Sequence, residues 1–213
     1  IEPPLVVVGD GGAESVRRHA EGTVRWAVDK LGRDFFARPP ERILTVWLFK
    51  DRASYDHHNR VLFKDKPDTP YGYYSRKLRA LVMNIGTGGG TLVHEIVHPY
   101  MESNVPDCPA WLNEGLGSLF EQSRERDGHI VGLTNWRLEG LKEAIERDRL
   151  PPLRALVLSD DETFYGRDSG RNYAQARYFL YWLQERKLLQ RFWHSYRRTR
   201  GGEHGAGART RAV

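Results

Sequence analysis

The sequence predicts an α+β fold in which a small N-terminal sheet with its helices precedes a mostly helical C-terminal half. Short apolar runs with β-branched residues are confined to the chain before residue 86, whereas apolar spacings of three and four residues dominate after it. Paired prolines, Pro39-Pro40 and Pro151-Pro152, punctuate both halves. With 213 residues, 39% hydrophobic content and six tryptophans, the chain is long and apolar enough to bury one proper core.

Taken in order, a short strand at residues 5–8 leads into a helix at 13–31, where Val16, Ala20, Val24, Ala27, Val28 and Leu31 form one apolar stripe. Residues 43–49 read as a second strand and 52–63 as a helix, in which the adjacent His57 and His58 point about 100° apart and belong to a surface face. Strands follow at 71–75 and 78–85; residues 80–85 are expected at the sheet edge, where an extended substrate would find backbone hydrogen bonds. Gly86, Gly88, Gly89 and Gly90 lack the lysine of a phosphate loop and read as a tight strand-to-helix turn, with Thr87 or Thr91 as the cap of the next helix. Further helices are expected at 111–122, 135–147 and 173–196, with no internal repeat.

The chemistry is concentrated in His94-Glu95-Ile96-Val97-His98 and Trp111-Leu112-Asn113-Glu114-Gly115. Two histidines four residues apart share one helix face, so both imidazoles can reach a single cation at about 2.0–2.1 Å. Glu114 is the expected third ligand, separated from His98 by 15 residues, which is room for one helix to end and a second to return. A His, His, Glu set leaves a position for water or substrate, unlike the closed cysteine sets of structural zinc. Glu95 is then the general base. On the second helix, Leu112, Leu116, Leu119 and Phe120 face the core, and Glu121 lies on the face of Glu114 two turns on, where it would accept the outer N–H of a ligand histidine. Pro99, directly after His98, removes a helix donor and crowds the Glu95 carbonyl, so the helix should bend or loosen there.

HEIVH followed by PAWLNEGLGSLFEQ resembles the gluzincins. The wider context, TPYGYY, then RALVMNIGTGGGTLVHEIVHPYM, then NYAQARYFLYWL, is similar to the bacterial peptidase MA-like family within them. This resemblance, from about residue 40 to 196, implies zinc-dependent peptide hydrolysis with His94, His98 and Glu114 as ligands, Glu95 as base and a thermolysin-like zinc cleft between the two halves. The segment WLNEG is also similar to that of the aminopeptidase N family, in which a carboxylate seven residues beyond the glutamate ligand is typical and is matched by Glu121. The ligand spacing is shorter here, and Ala80-Leu81-Val82-Met83-Asn84 contains no glutamate to bind a substrate amine, so an endopeptidase is expected over an aminopeptidase. Tyr173 matches the late tyrosine of the family and is the expected donor to the oxyanion, with Tyr71, Tyr73 and Tyr74 as competitors.

The net charge is +5. The segment from Glu185 to Val213 holds eight Lys or Arg against two Glu, +6, so the remainder is close to neutral at −1. Residues 1–200 are accordingly expected to form one zincin-like catalytic domain and residues 201–213 a disordered basic tail, with nucleic acid an unexpected partner because no aromatic-studded basic motif accompanies the charge. No run of 18 apolar residues is present, so no membrane span is expected. The chain begins at Ile1, as a trimmed or processed precursor would, which makes an extracytoplasmic protein with a removed signal peptide one expectation. Cys108 stands alone and is expected to pack behind the site. The partner expected from these features is a peptide or protein substrate. The alternative from a different class is a catalytically inactive zinc-holding module that binds peptides without cutting them. A structural helical protein with an accidental HExxH is the third reading.

Overall fold

The computed structural model describes residues 4–207, with side chains through residue 199. Strand β1 (Leu5–Gly9) and strand β2 (Leu44–Phe49) pair in parallel, joined by a helical crossover. That crossover is α1 (Ala13–His19), a π-helical segment Ala20–Arg25, and α2 (Trp26–Asp34). Where one helix was expected, a π segment interrupts it, yet Val24, Ala27 and Leu31 of the expected stripe are fully buried. Helix α3 (Arg52–His58), capped by Asp51 on the Ser54 amide, continues into a second π segment, Asn59–Phe63. His58 stacks on Phe49, in keeping with a packing role.

Strands β3 (Gly72–Ser75) and β4 (Ala80–Asn84) complete a four-stranded sheet in the order β1-β2-β4-β3. β4 runs parallel to β2 and antiparallel to β3, which corrects the expectation that residues 80–85 lie at the edge. The turn at 76–79, with Arg79 at φ 48°, folds β3 back onto the outer side of β4, so β4 is buried along its whole length and β3 takes the edge. Two tyrosines fasten that edge. The Tyr73 hydroxyl donates to Asn59 Oδ1 at 2.8 Å and the Tyr74 hydroxyl to Glu102 Oε2 at 2.9 Å.

A short 3-10 turn, Ile85–Thr87, leads into α4 (Gly89–Asn104). Its cap is Gly88, at φ 101°, a conformation that suits glycine; neither Thr87 nor Thr91 caps it. The helix continues through buried Pro99 to Asn104. Helix α5 (Ala110–Glu121) is buried on nearly all sides, and Leu112, Leu116, Leu119 and Phe120 sit in the core as the periodicity predicts. A hairpin follows that the sequence reading missed, β5 (Ser123–Arg126) and β6 (His129–Gly132). Its turn, Asp127-Gly128, has positive φ at both residues, the arrangement a two-residue hairpin favours.

The remaining helices are α6 (Arg137–Glu146), α7 (Leu153–Val157), α8 (Asp161–Tyr165), α9 (Ser169–Glu185) and α10 (Leu189–Gly207). The single helix expected at 173–196 is two. Lys187 adopts a left-handed conformation at φ 58°, and the amides of Lys187 and Leu188 close on the carbonyls of Gln184 and Leu183. The expected tail at 201–213 overlaps the last turns of α10 and from residue 208 lies outside the described residues. The larger hydrophobic cluster runs from Leu5 to Trp193, a smaller one joins Phe49, Tyr55, Ala80 and Val82, and Trp193 Nε1 donates to the Phe35 carbonyl at 2.6 Å, tying α10 to the end of α2.

Helix α5 is held by an unusual anchor. The buried guanidinium of Arg177, on α9, donates to the carbonyls of Ser118 at 2.8 Å and Leu119 at 3.1 Å and to that of Leu133. These carbonyls lie at the end of α5 and just beyond β6, so one side chain satisfies acceptors from two elements. Arg177→Met should therefore cost about 2–4 kcal/mol, because buried carbonyls lose charge-assisted donors. Urea unfolding followed by circular dichroism would measure this, and a loss under about 0.5 kcal/mol would contradict the anchoring role.

Candidate metal centre

Helices α4 and α5 meet over a glycine. A Cβ added at Gly117 would lie 3.1 Å from the His94 ring, so only glycine lets α5 approach the imidazole so closely. On the other side of α5, a Cβ at Gly115 would come within 3.2 Å of Ala176 and Leu180 of α9. Helix α5 is thus wedged between α4 and α9, and Glu114 is delivered to the histidines.

Among the described residues, His94, His98 and Glu114 form a group that could hold a metal ion, their ligand atoms all within 4.8 Å of one another. His94 Nε2 lies 3.2 Å from Glu114 Oε2, and His98 Nε2 lies 3.9 Å from the same oxygen. Both imidazoles and the carboxylate therefore turn toward one point. Two neutral nitrogens and one carboxylate oxygen are a donor set that suits a borderline-soft divalent cation. Glu95 lies beside this group, 3.7 Å from His98 Nε2.

The outer contacts orient these donors. His98 Nδ1 donates to Asn113 Oδ1 at 3.0 Å, which leaves the lone pair of Nε2 free to face the cavity. Glu114 Oε1 accepts from the Tyr165 hydroxyl at 2.8 Å, which leaves Oε2 for the histidines. Glu121, expected to accept from a ligand histidine, is instead engaged by Arg137 Nη1 in an ion pair. Tyr173 lines the same cleft, with its ring 6.4 Å from that of Tyr165. Of its expected competitors, Tyr73 and Tyr74 are tethered to Asn59 and Glu102, and Tyr71 stands at the cleft rim. Cys108 is half-buried and lines one end of the cleft, where packing behind the site was expected.

Sequence reasoning missed Asn113, Tyr165, Arg137 and the edge strand. Asn113 was within reach of it, because it directly precedes Glu114 and faces the same helix. Tyr165 was not, since α8 approaches Glu114 only through the tertiary fold.

The two carboxyl groups titrate in opposite directions. Burial pushes Glu95 up to about 7; the opposite charge of His98 and the Tyr74 backbone amide pull it down, and the negative charge of Glu114 adds to the rise. Burial also pushes Glu114 up, but the charge of His98 and the hydrogen bonds from His94 and Tyr165 outweigh it and hold the group down at about 2. Burial and the neighbouring Glu114 charge keep the Tyr165 and Tyr173 phenols well above their ordinary value, so both remain donors.

The cleft extends to either side of Glu95. One lobe, about 520 Å³, is bounded by Tyr74, Arg76, Glu102, Asp161 and Tyr165. The other, about 440 Å³, is bounded by Tyr71, the Gly88–Thr91 turn, Trp136 and Arg137. His94, Glu95, Thr69 and Gly72 belong to both.

Residues 90–201, just over half of the chain, match the family described as a protein of unknown function (DUF1570), and the chain belongs to that family. The matched stretch contains both histidines, Glu95, Glu114, Tyr165 and Tyr173. No curated protein matches the chain.

Two outcomes follow from this geometry. With metal removed by chelation, the raised Glu95 group contributes stability that is intact below about pH 4.5 and is lost as the pH rises through about 7. Glu114 contributes in the opposite sense, its stability present above about pH 4.5 and lost as the pH falls toward about 2. Glu95→Gln, which keeps the shape without the charge, should stabilise the chelated protein by about 2–3 kcal/mol at pH 8 and by almost nothing at pH 4.5. Urea unfolding at both pH values measures it, and an equal effect at both would contradict the burial argument. Asn113→Ala should weaken metal binding about 10- to 100-fold through a freed His98 ring. Competition against a chromogenic chelator reads this, with Glu114→Ala as the comparison expected to abolish stoichiometric binding.

Proposed function

For this member of the DUF1570 family we propose a zinc-dependent metallopeptidase that cuts within an extended peptide. The observation that carries the reading is the pairing of a three-donor group, His94, His98 and Glu114, with a separate buried carboxyl, Glu95, whose proton affinity is tuned close to neutrality. When bound, the zinc ion supplies Lewis acidity toward a carbonyl and a lowered pKa for water.

The protein's own groups supply the rest. Glu95 removes a proton from the attacking water as its oxygen adds to the scissile carbonyl carbon. It then returns that proton to the amine nitrogen as the C–N bond breaks. A buried carboxyl 3.7 Å from His98 and facing the cleft is placed for both directions of this transfer. Tyr173 is the proposed donor to the developing oxyanion, since its phenol stays protonated and lines the cleft beside Glu114 and Glu95. Tyr165 orients the proposed ligand Glu114.

The gluzincin resemblance of the sequence fits this reading. α4 forms a wall of the cleft, and the outer edge of β3 is open to pair with a substrate main chain. Lobes on both sides of Glu95 favour cleavage inside a chain over removal of a terminal residue.

The test is proteolysis of an unfolded protein by zinc-loaded enzyme. Glu95→Gln should retain one zinc per chain and lose at least about 10²-fold in kcat/KM, the usual contribution of a general base. Zinc retention with no cleavage by the wild type would replace the peptidase with a peptide-binding module. An absence of zinc binding after reconstitution would remove both.

A further inference from the structure

A second recess adjoins the cleft. It lies between α6 and the start of α9 and encloses about 320 Å³. We propose that this recess is a specificity pocket that takes one large apolar or aromatic side chain of the bound peptide, an inference that rests on the peptidase reading.

The first support comes from two glycines. Gly140 and Gly170 border the recess, and a Cβ added at either would meet no atom within 4 Å. Glycine inside a helix is less favourable than alanine. Gly140, within α6, and Gly170 are both exposed and border the recess, so side chains at these two positions would stand at its mouth.

The second support is the lining. Leu141, Ala144 and Ala174 are buried and present methyl groups to the cavity. Arg149 and Arg171, at the rim, pair with Glu143 and Asp168. Glu143 is shared with Arg147, so it is the apolar lining beneath the rim that suits the recess to an apolar occupant.

The third support is the connection to the cleft. Trp136 and Arg137 line both the recess and the cleft lobe that contains His94 and Glu95. Trp136 is 71% exposed, and the Arg137 guanidinium lies 4.2 Å from its ring centroid. Arg137 is in turn fixed by Glu121. The shared wall is held by this ion pair, and its exposed indole offers an aromatic surface to a side chain at the junction of cleft and recess.

Two measurements test the pocket separately from the peptidase reading. In the first, zinc-loaded wild type and Gly140→Leu cleave paired peptides that differ only by Phe or Gly at each position near the cut. Wild type should prefer Phe at one position, and the kcat/KM ratio of Phe to Gly peptide should fall about tenfold in the variant. An unchanged ratio overturns the pocket while leaving the peptidase intact. In the second, which needs no turnover, N-acetyl-phenylalaninamide is titrated against both proteins by NMR, with N-acetylglycinamide as control. Binding that is selective for the benzyl probe and at least tenfold weaker in Gly140→Leu supports the pocket even where the wild type cleaves nothing; equal binding overturns it. Gly170→Leu obstructs the same mouth from α9 and decides the matter should Gly140→Leu fail to fold.

Discussion

The approach of α5 to α4 across Gly117 is the contact on which the rest of the site depends. It places the Glu114 carboxylate against two imidazoles in a cavity that also encloses Glu95. Bringing two carboxylates into a low-dielectric space is unfavourable unless positive charge accompanies them. Hydrogen bonds from His94 and Tyr165 offset part of this burden for Glu114, and the raised affinity of Glu95 for a proton reports what is left over. A divalent cation at the His94, His98 and Glu114 donors would relieve both groups at once. The cluster is thus poorly arranged as a salt bridge and well arranged as a set of ligands.

Holding that contact demands support from elements remote in sequence. α5 carries glycine toward each neighbour, so it packs closely on α4 and on α9 with little freedom to rotate. Arg177 then binds carbonyls near its C-terminal end, while Tyr165 and Asn113 fix the Oε1 oxygen of Glu114 and the outer nitrogen of His98. Tyr74 joins the edge strand to α4 through Glu102, which couples the proposed substrate-binding edge to the helix that bears the histidines. A donor group held this way is preorganised, so the cost of assembling it is borne by folding.

How much of this was legible depended on whether the determinant was local. The two helices, their apolar faces and the His94, His98, Glu114 grouping follow from residue spacing, because an i,i+4 pair and a following amphipathic helix are local geometry. The strands β1 and β2 were legible as short apolar runs, but their parallel pairing was not read from the sequence. The edge was not, since which of β3 and β4 lies outside is decided by sheet order, and β4 is apolar enough to suit either place. The break at Lys187 escaped notice because a lysine in a left-handed conformation gives no glycine or proline signal. The hairpin at 123–132 carried its Asp-Gly signal openly, but the polar Ser-Arg-Glu-Arg strand beside it shows no apolar alternation. The fate of Glu121 was the subtlest difference: helical spacing put it on the correct face, but its partner, Arg137, arrives from across the hairpin.

That ion pair gives Arg137 a place in the architecture that spacing alone could not have suggested. It faces Glu121 at the end of α5, stacks on Trp136, and lies 5.8 Å from the Tyr173 ring. A guanidinium can meet a carboxylate and aromatic faces together because its donors lie in its plane while its faces remain open, which an ammonium cannot reproduce. Arg137 consequently closes one side of the cleft with a charge that is already neutralised. The proposed reaction centre keeps its own electrostatic balance, set by two carboxyls and two imidazoles, while the wall beside it is built from paired charge and aromatic surface. An uncompensated cation in that wall would add to the pull that a metal at the His94, His98 and Glu114 donors would exert on Glu95, and the pairing with Glu121 removes that excess.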